Sequence, residues 1–167
     1  MTDTDLKVIL HTTTDAAQTH ALGVALGQRL CAGDVVELVG ELGAGKTRLV
    51  RGIAQGAGHD PDLVSSPTYV LFNEYQSPGA ATILHIDAYR MGSADEIHEA
   101  GYDHAAPGAI ILIEWADRLA GALEPGALRI EIEHAPDVAD TSRNFRFTCP
   151  QPMRERLAPA IADSLQP

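Results

Sequence analysis

The sequence lacks several features by which other classes of protein are recognised. Only two of its 167 residues are lysine, and the net charge is −11, which argues against a chain-wide basic surface for nucleic acid and against direct DNA binding. Two cysteines, Cys31 and Cys149, are too few for a disulfide scaffold or a cysteine metal site. No apolar run approaches a membrane span, because Pro107 and Gly108 interrupt the best candidate.

What is present is typical of one soluble domain. Apolar residues make up 45% of the chain and charged residues 21%, as in globular proteins. The polar, acidic start at residues 1–5 does not have the pattern of a secretory signal, so we expect a cytoplasmic protein with reduced thiols. No repeat or linker divides residues 1–167, which we interpret as a single domain.

One stretch carries a specific chemical pattern. Residues 40–47 read Gly-Glu-Leu-Gly-Ala-Gly-Lys-Thr, which matches the G-x-x-x-x-G-K-[ST] pattern of a phosphate-binding loop. A strand-like run at 35–39 precedes it and a helix-like run at 48–55 follows, the order that such a loop requires. Its glycines let backbone N–H groups approach a polyphosphate. The pattern assigns Lys46 to the β- and γ-phosphates and Thr47 to Mg²⁺.

The rest of the chain predicts strands and helices arranged around this loop. A hairpin between strands at 69–75 and 82–86 indicates a mixed sheet, and the apolar run at 109–113 is expected at its centre. The run at 144–148 is interpreted as a last edge strand, before a closing helix that Pro159 kinks or breaks. The predicted fold is therefore α/β, a P-loop NTPase-like three-layer fold with a mixed, mainly parallel central sheet.

Two acidic residues, Asp87 and Glu114, come where apolar strands end. Ligands of open α/β sheets bind beyond the carboxyl ends of the strands, so both are expected near the phosphate loop. Either could complete the Mg²⁺ shell while the other positions a water. The structural alternative is a helix cap or a pair with Arg90 or Arg118. An unpartnered carboxylate is costly to bury, which favours a functional role for both.

Three other residues have less decisive patterns. Thr68 follows a Ser-Ser-Pro turn, where a γ-phosphate contact and an ordinary turn threonine are equally open. Trp115 is the only tryptophan and is more typical of a core residue than of a stacking platform. The seven histidines lack metal-ligand spacing, and His85 is interpreted as a strand side chain.

Four blocks of the sequence together resemble the bacterial TsaE family, formerly YjeE. They are Gly-Glu-Leu-Gly-Ala-Gly-Lys-Thr at 40–47, Ser-Pro-Thr-Tyr at 66–69, His-Ile-Asp-Ala-Tyr-Arg at 85–90 and Ile-Glu-Trp at 113–115. Many families share the phosphate loop, so the other three blocks make the resemblance specific. It covers roughly residues 8–134.

The resemblance implies a P-loop α/β ATPase that binds ATP with Mg²⁺ and hydrolyses it slowly by itself. It also implies TsaD-like and TsaB-like partners in forming threonylcarbamoyladenosine (t6A) in tRNA, with tRNA reached indirectly through the complex. Carried over by position, it assigns Lys46, Asp87 and Glu114 to catalysis and Thr47 and Glu114 to the metal. It assigns nucleotide binding to Gly43, Ala44, Gly45, Lys46, Thr47, Arg48 and Thr68. Arg48 stands where many members have a second threonine, so a hydroxyl for the α-phosphate is lost while the backbone N–H remains.

Two other functions use the same kind of loop. A small-molecule kinase would require an arginine-rich lid and an acceptor pocket, and no such lid is visible in the sequence. A nucleotide switch would bind a partner with little hydrolysis, and the Asn-Lys-x-Asp pattern of a GTPase is absent. The resemblance implies an ATPase whose conversion of ATP to ADP resets TsaB–TsaD partners, and the kinase and the switch remain as alternatives.

Overall fold

A computed structural model describes residues 7–67, 72–93, 95–99, 101–119 and 126–163. The strands are β1 (Lys7–Thr13), β2 (Val35–Val39), β3 (Phe72–Tyr75), β4 (Ile83–Asp87), β5 (Ile110–Glu114), β6 (Leu128–His134) and β7 (Arg143–Cys149). The helices are α1 (Ala16–Gly27), α2 (Lys46–Gly56), α3 (Asp95–Glu99), α4 (Tyr102–Ala105) and α5 (Gln151–Asp163). Short 3₁₀ turns lie at Pro61–Leu63, Ala88–Arg90 and Ala116–Leu119.

The seven strands form one sheet in the order β1-β7-β6-β2-β5-β4-β3. The central strands β6, β2, β5 and β4 are parallel to one another. Strand β3 pairs antiparallel with β4, which confirms the predicted hairpin, and β7 pairs antiparallel with both β6 and β1. The α/β fold with a mixed sheet is thus confirmed, with its parallel strands in the middle.

The prediction that 144–148 is an edge strand is wrong. Strand β7 lies between β6 and β1, and β1 forms the edge. Asn144, Arg146 and Thr148 lie on one face, while Phe145, Phe147 and Cys149 on the other face are buried. Alternation with a period of two marks a strand with one solvated face, and such a strand can also lie inside a sheet.

Strands β4 and β5 are apolar throughout because both of their faces are covered. All ten of their residues are buried. Alternate side chains enter two separate core clusters: Ile110 and Leu112 pack with helices α1, α2 and α5, whereas Ile111 and Ile113 pack on the side of α3 and α4. The helices on the two faces give the three layers, and they place the acidic ends of β4 and β5 side by side, with Asp87 opposite Glu114.

Asp15 and Gln18 have capping-box spacing in the sequence, and helix α1 begins with that box. The backbone N–H of Gln18 donates to Asp15 Oδ1 at 2.8 Å, and the Gln18 side chain accepts from the N–H of Thr14 at 2.8 Å. Leu22 and Leu26 are fully buried, as their spacing indicates. The cap therefore fixes where the helix beside the phosphate-loop helix starts.

Helices α1 and α2 pack backbone against backbone through pairs of glycines. A Cβ atom on Gly27 would lie 2.1 Å from the carbonyl oxygen of Ile53, and one on Gly56 would lie 2.1 Å from that of Val24. Across the same contact, a Cβ on Gly23 would lie 2.6 Å, and one on Gly52 2.3 Å, from a backbone carbonyl oxygen of the other helix. No side chain larger than hydrogen fits at these positions, so the glycines fix how closely α2 lies against α1.

The closing helix α5 is confirmed, but Pro159 lies inside it and does not end it. Leu157 and Ile161, on either side of the proline, are both buried in the larger core cluster, and their packing outweighs the lost backbone hydrogen bond. Arg156 anchors the helix through an ion pair with Asp34, just before β2. Within the described residues, no helix is long and apolar enough to cross a membrane.

Candidate functional site

The phosphate loop joins β2 to α2 with the backbone geometry that its glycines predict. Gly43 has φ of +80° and Gly45 has φ of +107°, both in the left-handed region that favours glycine. A Cβ on Gly40 would lie 2.5 Å from the carbonyl oxygen of Ile132 on β6, so this glycine is required by the neighbouring strand. The loop ends at the amino terminus of α2, where free N–H groups and the helix dipole favour an anion.

Lys46 is the first residue of α2 and is only 4% exposed. Its Nζ donates to the carbonyl oxygens of Gly40 at 2.6 Å and Glu41 at 2.8 Å. Burial lowers the pKa of Lys46, and the negative charges of Glu114 and Asp87 oppose that shift. The ammonium group is thus held between its own loop and the two acids at the strand ends.

Trp115 follows Glu114 and has φ of +60°, the one non-glycine residue with positive φ in the part of the chain that the structure describes. Its ring centroid lies 3.8 Å from Lys46 Nζ, a cation–π contact. The ring of Tyr89 lies against it at 4.9 Å between centroids. Trp115 packs on the smaller core cluster and also lines the cavity beside the loop, so the core interpretation was incomplete.

Thr47 and Glu114 meet in the structure, although 67 residues separate them in the sequence. The hydroxyl of Thr47 lies 3.0 Å from each carboxylate oxygen of Glu114 and donates to them. Glu114 is 3% exposed and also contacts His85 Nε2 at 2.9 Å. A hydroxyl and a carboxylate this close can share one cation, as the sequence predicts, and their hard oxygens suit Mg²⁺.

Asp87 lies at the end of β4, beside Glu114, and is 8% exposed. Its Oδ2 accepts a hydrogen bond from the hydroxyl of Ser66 at 2.7 Å, and its Oδ1 accepts from the N–H of Tyr89 at 2.9 Å. The helix-cap alternative for Asp87 is therefore realised, because the Tyr89 contact caps the 3₁₀ turn Ala88–Arg90. Capping occupies one carboxylate oxygen and leaves Asp87 on the cavity wall.

A cavity of about 650 Å³ collects these groups at the carboxyl ends of the strands. Sequence-predicted residues that line it are Gly43, Ala44, Gly45, Lys46, Thr47, Arg48, Asp87 and Glu114. Thr68 lies outside the described residues. The cavity also has walls that sequence reasoning missed, formed by Ala16, Thr19, Asp140, Thr141 and Arg143.

Arg143 is the most notable of the missed residues. Its Nε donates to the carbonyl oxygen of Ala44 at 3.0 Å, and its Nη2 lies 3.4 Å from that of Gly43. The neighbouring Thr141 donates to the carbonyl oxygen of Thr14 at 2.7 Å, just before α1. The β6–β7 connection is thereby bonded to the segment before α1, and the start of β7 is bonded to the phosphate loop. No motif marks Arg143, and only strand pairing brings it within reach of residues about 100 positions earlier.

The donor set also indicates how an ion would complete its shell. Within the described ranges, no group of three or more His, Cys, Asp or Glu side chains could hold a metal ion. An ion at Thr47 and Glu114 would therefore need phosphate oxygens and water as further ligands, which is how Mg²⁺ usually binds beside a nucleotide.

Strand β2, the glycine loop and α2, with acids ending the neighbouring strands β4 and β5, define a protein of the P-loop class. The family model described as threonylcarbamoyl adenosine biosynthesis protein TsaE matches residues 13–145. The chain belongs to the TsaE family.

Individual relatives agree with the family model. The chain is 38% identical over 141 residues to the tRNA threonylcarbamoyladenosine biosynthesis protein TsaE of Streptomyces coelicolor, covering 83% of this chain and 93% of that one. It is 40% identical over 130 residues to the protein of the same name from Haemophilus influenzae, covering 77% and 78%. The crystal structure of Bacillus subtilis YdiB matches with a TM-score of 0.73 at 28% identity, covering 95% of this chain and 96% of that one.

Proposed function

We propose that this protein is a Mg²⁺-dependent ATPase accessory to the complex that transfers the threonylcarbamoyl group to tRNA. One observation carries the proposal: the Thr47 hydroxyl lies 3.0 Å from both oxygens of the buried Glu114, beside a phosphate loop. Family membership supports the pathway. In this proposal a single domain works in the cytoplasm with TsaD-like and TsaB-like partners, reaches tRNA through them, and resets them by converting ATP to ADP.

The loop and Lys46 bind the polyphosphate in this scheme. Backbone N–H groups from Gly43 to Arg48 face the phosphates, with the dipole of α2 behind them. Lys46 exchanges its contacts with the carbonyls of Gly40 and Glu41 for phosphate oxygens. Thr68 is proposed to contact the γ-phosphate.

Thr47 and Glu114 hold the metal. Because the Thr47 hydroxyl donates a hydrogen bond to Glu114, its oxygen lone pairs remain available to a cation. Glu114 acts directly or through a water in the metal's shell. Mg²⁺, when bound, offsets the negative charge of the phosphates.

Asp87 orients the attacking water. Ser66 and the N–H of Tyr89 fix its carboxylate, which accepts a proton from the water as the new oxygen–phosphorus bond forms in line with the leaving group. The bond between the γ-phosphorus and the bridging oxygen breaks, giving ADP and inorganic phosphate. Lys46 and the loop N–H groups stabilise the charge that develops. Turnover by the isolated protein is slow, and a partner completes the site.

The first test measures phosphate release and nucleotide binding in matched variants. Glu114→Ala should reduce Mg²⁺-dependent hydrolysis more than nucleotide binding, and Asp87→Asn should abolish hydrolysis while binding persists. Glu131→Gln, on a strand face away from the cavity, is the control and should keep both. Equal loss of binding and hydrolysis in Glu114→Ala would point to a structural role instead.

The two alternatives give different results in the same assays. Transfer of the γ-phosphoryl group to a small acceptor, with none to water, would favour a kinase. Partner capture that differs between ATP and ADP, with negligible phosphate release, would favour a switch.

The pathway is tested separately by mass spectrometry of tRNA nucleosides after depletion of the protein. We expect t6A to fall and to recover with the wild-type gene but not with Asp87→Asn. Unchanged t6A would remove the pathway assignment while leaving the ATPase proposal intact.

A further inference from the structure

A buried row of polar groups leads from the edge strand β3 to Glu114. His85, in the middle of β4, is fully buried. Its Nε2 lies 2.9 Å from Glu114 Oε1, and its Nδ1 lies 3.3 Å from the hydroxyl of Tyr75 on β3. Asn73 Nδ2 donates to the same hydroxyl at 3.3 Å. The row therefore runs Asn73, Tyr75, His85, Glu114 and continues to the Thr47 hydroxyl.

The hydrogen bonds in this row have one consistent direction. An ionised Glu114 only accepts, so the proton of a neutral His85 ring must be on Nε2. Nδ1 then accepts, and the Tyr75 hydroxyl is its donor, sharing its hydrogen with the carbonyl oxygen of Ser65 at 3.2 Å. Asn73 donates to the Tyr75 oxygen in turn. Each group in the row thus donates its hydrogen bond in the direction of the Glu114 carboxylate.

Glu114 depends on these donors for its orientation. The Glu114 carboxylate is almost fully buried, and described side chains contact it from two directions: Thr47 on the loop side and His85 on the neighbouring strand. A bound cation would compete for the oxygens that Thr47 contacts. His85, on the other side, would still hold the carboxylate in place.

We propose that His85 is a positioning residue that fixes Glu114 for metal binding, and that Tyr75 acts through His85 by fixing its tautomer. This inference rests on the proposed function, because it assumes that Glu114 serves a metal ion. It gives His85 a role that its place in an apolar strand did not indicate.

The simplest alternative is that His85 is a core histidine that only needs a hydrogen-bond partner. His59 provides a matched control, because it is also buried and its Nε2 contacts the carbonyl oxygen of Ala81 at 2.8 Å. His59 does not line the cavity. The His59 variant thus shows the general effect of losing a buried histidine, which can be subtracted from the effect of losing His85.

The test is calorimetric titration of Mg²⁺ into protein saturated with ADP, with ADP binding in EDTA measured alongside. We expect His85→Leu to weaken Mg²⁺ binding about tenfold or more, as loss of a partner behind a metal ligand commonly does, and to leave ADP binding in EDTA unchanged. His85→Gln can still donate to Glu114 and should recover most of the affinity. His59→Leu should leave Mg²⁺ affinity unchanged.

Tyr75→Phe removes a single hydroxyl and carries the test if His85→Leu fails to fold. It should weaken Mg²⁺ binding measurably, by about threefold, with a smaller effect than His85→Leu because the imidazole stays in place. The inference is overturned if Mg²⁺ affinity is unchanged in a folded His85→Leu variant. If His85→Leu is insoluble, unchanged Mg²⁺ affinity in Tyr75→Phe overturns it. So does an equal loss of ADP binding in EDTA.

Glu114→Ala separates this failure from failure of the proposed function. If Glu114→Ala loses Mg²⁺ affinity and His85→Leu does not, only the positioning role is wrong. If neither variant changes Mg²⁺ affinity, Glu114 does not serve a metal and the proposed site itself fails.

Discussion

The two halves of the sheet differ in where they keep their charged side chains. In the parallel half, formed by β5 and β4, both faces are covered by apolar packing, and the buried acids Asp87 and Glu114 lie at the strand ends, where they line the same cavity as Lys46 at the start of α2. In the antiparallel half, formed by β6, β7 and β1, one face is apolar. The other face carries a row of ion pairs that starts at Glu37 on the adjoining strand β2: Glu37 with Arg129, Arg129 with Glu131, and Glu131 with Arg146.

The same kinds of side chain therefore have different energetic weight in the two halves. Ion pairs on the open face are half-exposed and solvent-screened, so each contributes little to stability. The charged groups at the strand ends are almost fully buried. Hydrogen bonds hold them there, because a buried charge without a partner is costly. Buried charged groups of this kind are therefore candidates for catalytic or binding roles.

The largest effect should come from the packing that supports the parallel half. Gly27→Ala places a methyl group 2.1 Å from the Ile53 carbonyl oxygen, which should cost about 3 kcal/mol by overpacking and lower Tm by about 9 °C for a chain of this size. Gly33→Ala is the control, since its Cβ meets no atom within 4 Å although φ is +92°. Thermal unfolding followed by circular dichroism measures both. An equal, small effect of the two would contradict the close contact of α1 with α2.

The next effect concerns the buried cation of the parallel half. Lys46→Ala should weaken ATP binding by roughly 100-fold, because truncating one partner of a buried charge pair commonly costs about 2–5 kcal/mol. Fluorescent-nucleotide titration measures it, with Arg146→Ala on the open face as the control. Retained tight binding in Lys46→Ala would contradict the loop assignment.

Arg143 connects the two halves, because it lies in the antiparallel half and yet is hydrogen-bonded to the phosphate loop. Arg143→Ala removes its hydrogen bonds to the carbonyls of Ala44 and Gly43 and should weaken ATP binding about tenfold, since charge-assisted hydrogen bonds contribute about 1.5–3 kcal/mol. Arg143→Lys keeps the charge without the fork of donors and should recover only part of the affinity. If Arg143→Ala binds ATP with wild-type affinity, the antiparallel half does not contribute to ATP binding through Arg143.

The smallest effect should come from the open face. Glu131→Gln removes the acid that Arg129 and Arg146 share and should change the free energy of unfolding by about 0.5 kcal/mol or less. Urea denaturation measures it. A loss above about 1 kcal/mol, the upper end for exposed ion pairs, would show that the open face is not simply solvated.

Features that depend on residues close together in the sequence could be predicted from it. The phosphate loop, the capping box of α1 and the acids at the strand ends follow from local patterns, and the structure places the acids together. The contacts that His85, Ser66 and Arg143 make in the site could not be predicted from local patterns. Each acts on a residue that only strand pairing brings near, across 29, 21 and 99 positions respectively. The misplaced β7 has the same cause, since a strand's own residues do not specify its neighbours.

The position of Trp115 has a practical consequence. It is the only tryptophan in the chain, and its indole ring lies 3.8 Å from the Lys46 ammonium group. Intrinsic emission excited at the indole band therefore reports from the phosphate loop alone, without a dye and without background from elsewhere in the chain. The protein carries a built-in optical probe of the event that its proposed activity requires first.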